Sequence, residues 1–209
     1  IADGFAPVIA GTGSNSTAKT IAQTQRAKAL GANVALVVTP YYNKPPQAAL
    51  IRHFEAVADE GGLPVMLYNV PGRTSCNMLP ETTLALAEHP QIIAVKEASG
   101  NMEQIQSITL HAPEGFAVFS GDDALTLPLI QAGGHGVVSV AGNVAPASLK
   151  RLVSAALAGN QEDALNEQRK LLPLFSALFA TTNPIPVKKA GQLLGQCGPD
   201  VRMPLMAEC

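Results

Sequence analysis

The sequence predicts an α/β fold built on an all-parallel sheet, on three observations. Six short apolar runs recur along the chain, their starts about 20 to 30 residues apart. Helical patterns with recognisable start and stop residues separate them. Runs apolar on both faces that alternate with helices form a parallel sheet covered by helices. Finally, the chemistry-bearing residues fall at the C-terminal ends of several successive runs, where a TIM (β/α)8 barrel gathers its active site. The competing architecture is an open doubly wound sheet. Its dinucleotide site follows the first strand as G-x-G-x-x-G, and GTGSNS at 11–16 lacks the third glycine.

In chain order the runs are APVIAGTG (6–13), VALVVTPYY (34–42), PVMLYNVPG (64–72), IIAVKEAS (92–99), FAVFSGDD (116–123) and GVVSVAGN (136–143). Ser16 or Thr17 can cap a helix over 18–30, which Gly31 ends. Pro80 and Glu81 open a helix over 80–88. Asp122 or Asp123 can cap a helix running to about Gln131, before Gly133 and Gly134. Such residues satisfy the free N–H and C=O groups that helix ends expose. From 144 onward the pattern is helical: APASLKRLVSAALAGN, then 161–180, then 186–195.

Six runs fall two short of a barrel. At about 250 residues per barrel a unit takes about 30 residues, so about 60 are unaccounted for. The expectation is a barrel lacking about its first two β/α units, which would precede Ile1. Residues 1–159 then supply units three to eight, and 160–209 form a C-terminal helical region, itself truncated.

Composition narrows the function. Of the 209 residues 47% are apolar, enough for a sizeable core, and the net charge of −2 offers no basic footprint for nucleic acid. No apolar run reaches the about 18 residues of a membrane span. The start shows no initiator Met, basic n-region or signal-like core, and the cysteine usage is what points to a cytoplasmic protein. Cys76, Cys197 and Cys209 are odd in number and unclustered, which suits reduced thiols better than disulfides or zinc. His53, His89, His111 and His135 show no ligand spacing. His53 and His89 read as solvated helix positions, and His135 as a structural loop residue.

Lys96 raises the question of why a buried strand should end on a lysine. Period-two alternation puts Ile92, Ala94 and Lys96 on one face and Ile93 and Val95 on the other. If Lys96 points into a barrel mouth, desolvation disfavours its charged form. A neutral amine is a nucleophile toward carbonyls, the Schiff-base role. The plainer reading is a lysine just past its strand, paired with Glu97 or reaching for water. Tyr68 shares a face with Met66 at the end of another run. A phenol there can relay protons, or can pack in the core with its hydroxyl on backbone. Arg73 lies five residues on, where its planar fork suits a carboxylate; a solvated arginine is equally consistent. Tyr41 and Tyr42, beside stiffening prolines, suit a site wall, an interface or core packing. In SGDD, Asp122 and Asp123 are more simply helix caps than metal ligands. An amine, a phenol and a guanidinium on one barrel rim suit aldol-type chemistry on an anionic 2-oxo acid.

The ordered motifs GTGSN, TPYYNKP, YNVPGRT, VKEASGN, SGDD, GGHGVVSV and NPIPVK span essentially the whole chain. In that order the sequence resembles the dihydrodipicolinate synthase (4-hydroxy-tetrahydrodipicolinate synthase) family, of the pyruvate-dependent Schiff-base aldolases. The resemblance implies that Lys96 forms the imine with pyruvate and that Tyr68 relays protons. It implies that Arg73 holds the carboxylate of aspartate semialdehyde and that Tyr42 reaches a neighbouring subunit's site. It places Val138 and Gly121 beside the pyruvate. The implied role is a lyase of lysine and diaminopimelate biosynthesis, a homo-oligomer (dimer or tetramer) that needs no metal or organic cofactor. Sister aldolases acting on N-acetylneuraminate or keto-deoxy-sugar acids, or an inactive barrel with a binding role, are the alternatives.

The sequence departs from the family's pattern twice. The threonine pair of G-T-T-G-E is absent, so these residues alone are expected to form an incomplete site of little activity. Lysine-inhibited members use an asparagine, an acid four positions on and the first tyrosine of the pair. Asn15 and Tyr41 match, but Lys19 stands at the acid's place, which implies weak or absent feedback inhibition.

Overall fold

The computed structural model describes residues 4–207. Cys209 lies outside them. The six predicted strands are all present: β1 (Ile9–Gly11), β2 (Val34–Val38), β3 (Val65–Asn69), β4 (Ile92–Glu97), β5 (Ala117–Ser120) and β6 (Gly136–Val137). Every pairing is parallel, and the order across the sheet is the order along the chain. A doubly wound sheet reverses direction at a switch point. This one never does, which is the arrangement of consecutive units of a barrel.

Nine α-helices join and cover the strands among the described residues. They are α1 (Thr17–Ala29), α2 (Gln47–Gly61), the single turn α3 (Pro71–Thr74), α4 (Pro80–Ala87), α5 (Met102–His111), α6 (Thr126–Gln131), α7 (Pro146–Leu157), α8 (Gln161–Leu178) and α9 (Ile185–Leu193). Ser16 caps α1, its side chain accepting from Lys19 N–H. Asn101 caps α5, accepting from the N–H groups of Glu103 and Gln104 at 2.9 and 3.2 Å. No described helix is long and apolar enough to cross a membrane.

The helix-facing side of the sheet holds the main core. Ala35 and Val37 of β2, Val65 and Leu67 of β3 and Val95 of β4 pack there against Leu50, Phe54 and Val57 of α2 and Ile105 and Ile108 of α5. Leu50, Phe54 and Val57 recur at helical spacing, so one stripe of α2 is fully buried. Phe54 alone stabilises the fold by about 2–3 kcal/mol through burial. A second core joins Leu127 of α6, Leu149 and Leu152 of α7 and Leu171, Phe175 and Leu178 of α8. The residues after 160 thus pack directly on the α6–α7 pair.

Four expectations need correction. First, Ile92 does not share the face of Lys96. A bulge between the Val65–Ile92 and Met66–Ala94 pairs leaves Ile93 unpaired and 37% exposed. The extra residue resets the alternation, so Ile92 packs with Val95 in the helix-facing core. Ala94 and Lys96 keep their common face. Second, neither Asp122 nor Asp123 caps α6, which starts at Thr126 after Leu125 without a side-chain cap. Asp122 instead closes a local turn, accepting from Ala124 N–H at 2.9 Å.

Third, the sixth strand is only two residues long. The buried Asp123 carboxylate accepts from the N–H groups of Val140 and Ala141 at 3.2 and 2.9 Å, and from the Ser139 hydroxyl. Those donors are lost to the sheet, and the chain curls into a 3-10 turn over Ala141–Asn143. Fourth, His53 is not solvated. It is 6% exposed, its Nδ1 sits 2.9 Å from the Thr17 hydroxyl, and its ring meets Phe54 edge-on. Burial holds its pKa below the ordinary histidine value. His89 is half-buried and pairs with Asp59 at 3.1 Å.

Candidate active site

Parallel strands all end on one side of the sheet, and the register there is specific. Tyr68 is the direct partner of Lys96, and Lys96 of Phe119. Lys96 Nζ lies 4.1 Å from the centroid of the Tyr68 ring. Both side chains line a cavity of about 170 Å³ with Arg73, Gly121, Asp122 and Asn183. A water's share of liquid volume is about 30 Å³, so the cavity admits a small acid. Tyr68 and Arg73 also line an adjoining opening of about 370 Å³, walled by Leu36, Val38 and Tyr41.

The electrostatics suit amine chemistry. Burial pushes the Lys96 pKa below the ordinary lysine value. The nearby Asp123 carboxylate pulls it back up, and the Arg73 guanidinium lowers it further. Burial raises the Tyr68 phenol, and Arg73 offsets part of that rise. A half-desolvated lysine gives up its proton more readily, and carbonyl addition requires the neutral amine.

The loops are shaped around Lys96. A Cβ at Gly121 would lie 2.6 Å from Ala98 Cβ and 3.0 Å from Lys96 Cε. Only glycine lets the backbone pass that close. Arg73 lies within the turn α3, which Ser75 ends in the αL conformation, and remains exposed, its Nη2 donating to the Asn183 carbonyl at 3.3 Å. The other guanidinium donors are free to meet a carboxylate.

The structure does not gather every residue singled out in the sequence. Tyr42, with a φ of +76°, is 87% exposed and lines neither cavity. Val138 donates its N–H to the Ser120 carbonyl at 2.8 Å, while Val140 supplies the cavity wall on this segment. Asn15 and Tyr41 lie in neighbouring loops, and Asn43 Nδ2 bonds the Asn15 carbonyl at 3.0 Å. Lys19 is exposed in the first turn of α1.

Sequence reasoning missed Asn183, Asp122 as a cavity residue, Val140 and Phe179. NPIP marked the first; nothing in the sequence placed a residue 87 positions beyond Lys96 beside it. A larger cavity of about 510 Å³ lies between the 3-10 turn and α9. It meets the Lys96 cavity only through Val140 and Asn183.

The sequence profile of the dihydrodipicolinate synthetase family matches residues 1–208. The chain belongs to that family. It is 52% identical over 199 residues to a 4-hydroxy-tetrahydrodipicolinate synthase of Citrifermentans bemidjiense, covering 95% of this chain and 69% of that one. It is 53% identical over 205 residues to the synthase of a Cyanothece species, covering 98% and 70%. Among solved structures, dihydrodipicolinate synthase from Aquifex aeolicus superposes with a TM-score of 0.97 at 46% identity, over all of this chain and 71% of that one. The Cyanidioschyzon merolae enzyme, solved with lysine bound, gives 0.93 at 48% identity, over 97% and 69%.

Proposed function

We propose that the protein is a 4-hydroxy-tetrahydrodipicolinate synthase, a lyase that condenses pyruvate with aspartate semialdehyde. The observation that carries this is the amine–phenol pair: Lys96 and Tyr68 face each other across adjacent strands in one cavity, with Arg73 at its mouth. Relatives about half identical over nearly the whole chain bear that name.

Neutral Lys96 adds to C2 of pyruvate, and loss of water gives an imine. Its protonated nitrogen draws electrons, so a methyl proton leaves and an enamine forms. Tyr68, against the Lys96 chain, passes these protons. The enamine carbon attacks the aldehyde of the semialdehyde, whose carboxylate Arg73 holds in a planar fork. The product amine then displaces Lys96 as the ring closes. Gly121 leaves room for pyruvate against Lys96, and Val140 excludes water from one side.

The same reading covers the assembly. On this reading the six strands belong to an eight-stranded barrel; in support, among the described residues β1 and β6 each pair on one side only, and the β1 residue Ile9 is 44% exposed. Tyr42, aromatic and exposed, suits contact with a second copy in a homo-oligomer. Asn15, Lys19 and Tyr41 form the counterpart of a lysine-regulatory pocket, with Lys19 weakening it. The enzyme would work in the cytoplasm.

Borohydride trapping tests the core of the proposal. Pyruvate with reductant should add to one residue of the full-length enzyme, and mass mapping should place the adduct on Lys96. An adduct elsewhere, or none, overturns the assignment.

A further inference from the structure

Each of the two reactive residues is followed by one that points the opposite way. Asn69 follows Tyr68 and Glu97 follows Lys96, so strand alternation turns both toward the helices. Asn69 is fully buried there and Glu97 is 1% exposed. Asn69 Nδ2 donates to the two Glu97 carboxylate oxygens at 3.3 and 3.1 Å. Gln104 Nε2 of α5 donates to Oε2 at 3.2 Å, and Ser99 N–H to Oε1 at 2.7 Å.

Backbone groups fix both amides. Asn69 Oδ1 accepts from Met78 N–H at 3.0 Å, and Gln104 Nε2 donates to the Met78 carbonyl at 3.2 Å. Those four contacts all come from N–H groups, and the Ser99 side chain bonds the carboxylate as well. An ionised carboxylate can accept from all of those donors at once. Burial raises the Glu97 pKa; the bonds from Ser99, Asn69 and Gln104 offset part of the rise, and the pKa stays above the ordinary value. No described cation forms an ion pair with it.

The main-chain carbonyls of the same two residues hold two residues that line the site. Ala98 N–H donates to the Asn69 carbonyl and Gly121 N–H to the Glu97 carbonyl, each at 2.8 Å. Ala98 and Gly121 line the cavity with Lys96 and Tyr68. The cluster therefore grips, from behind, the segments that carry the chemistry in front.

We infer that Glu97 is a positioning residue for the imine chemistry: by holding Asn69, its carboxylate sets the height of Tyr68 against Lys96. The inference rests on the roles proposed above for those two residues. Glu97 touches neither the cavity nor substrate. Its effect is geometric, and a misplacement of about 1 Å costs about 100-fold in rate. Glu97→Gln keeps the shape but turns one acceptor into a donor facing donors. Gln104→Met removes one donor and leaves the carboxylate.

The test uses the full-length enzyme, with borohydride trapping of pyruvate, turnover, and near-ultraviolet circular dichroism to confirm folding. Glu97→Gln is expected to lower kcat about 100-fold and to slow labelling of Lys96, with the pyruvate KM little changed. Gln104→Met should move the same way, about 10-fold. A merely structural role would lower Tm and leave kcat of the folded protein alone. Folded variants that turn over and label within about twofold of the parent overturn the inference. If Glu97→Gln does not fold, Gln104→Met decides by the same criterion. A parent that labels at Lys96 while the variants behave normally removes only the positioning role. A parent that never labels at Lys96 removes the catalytic reading and this inference with it.

Discussion

Lys96 Nζ stands 4.1 Å above the centre of the Tyr68 ring, on directly paired residues of adjacent strands. The ring face attracts an ammonium at that distance. Burial and Arg73 act against the charge, and their net effect is a lowered pKa. On the proposed mechanism the pair supplies an amine whose charge is disfavoured and a phenol ring beside its nitrogen.

The first prediction concerns pH. Neutral Lys96 grows as pH rises through its lowered pKa, so the rate of pyruvate trapping should climb and level off below pH about 10.4, the ordinary lysine value. A trapping rate still rising beyond that value would refute the desolvation argument.

Stability gives the converse. Between the lowered folded pKa and about 10.4 the unfolded chain binds more protons at Lys96, so its contribution to stability rises with pH in that window. Below the window the desolvated ammonium is a cost. Lys96→Met should abolish labelling and raise stability by about 1 kcal/mol at neutral pH, seen as a higher Tm. A lower Tm would contradict this.

Tyr68→Phe keeps the ring against Lys96 and removes the hydroxyl. Turnover should fall by about 10²–10⁴, the range for a lost proton-transfer group, with circular dichroism unchanged. Steady-state kinetics at saturating pyruvate would check it.

Arg73→Lys replaces a fork by a point charge. The KM for aspartate semialdehyde should rise about 10- to 100-fold, as a charge-assisted bond worth about 1.5–3 kcal/mol is lost. The KM for pyruvate should stay put; equal rises for both substrates would place Arg73 elsewhere in the mechanism.

Lysine titration tests the regulatory pocket. An ammonium at Lys19 repels the ammonium of a lysine ligand. Feedback inhibition should be weak in the parent and strengthen in Lys19→Glu. Strong inhibition of the parent by micromolar lysine would defeat the argument.

Much of the site was legible because strand chemistry is local. Lys96 and Tyr68 each end an apolar run, and alternation alone put Tyr68 with Met66 and Lys96 with Ala94. Ile92 escaped because a bulge is one unpaired residue that only the partner strand reveals. Asp122 and Asp123 stand where caps stand, yet Asp123 serves three donors some 16 to 18 positions on. His53 fits a helix pattern on either face, and only the packing of α1 on α2 buries it.

The sequence by itself determined the six strands, their alternation with helices, the family, and which amine, phenol and guanidinium share one rim. The strands, their alternation and the shared rim follow from short-range rules, side-chain period, caps and turns; the family follows from the resemblance of the ordered motifs. The tertiary structure alone decided that Tyr68 pairs with Lys96, that Asn183 meets Arg73 across 110 positions, and that Glu97 is buried among N–H donors. Those facts depend on sheet register and on which loops close over the strand ends. Neither is set by neighbours in the chain; both arise when distant segments pack together and satisfy one another's polar groups.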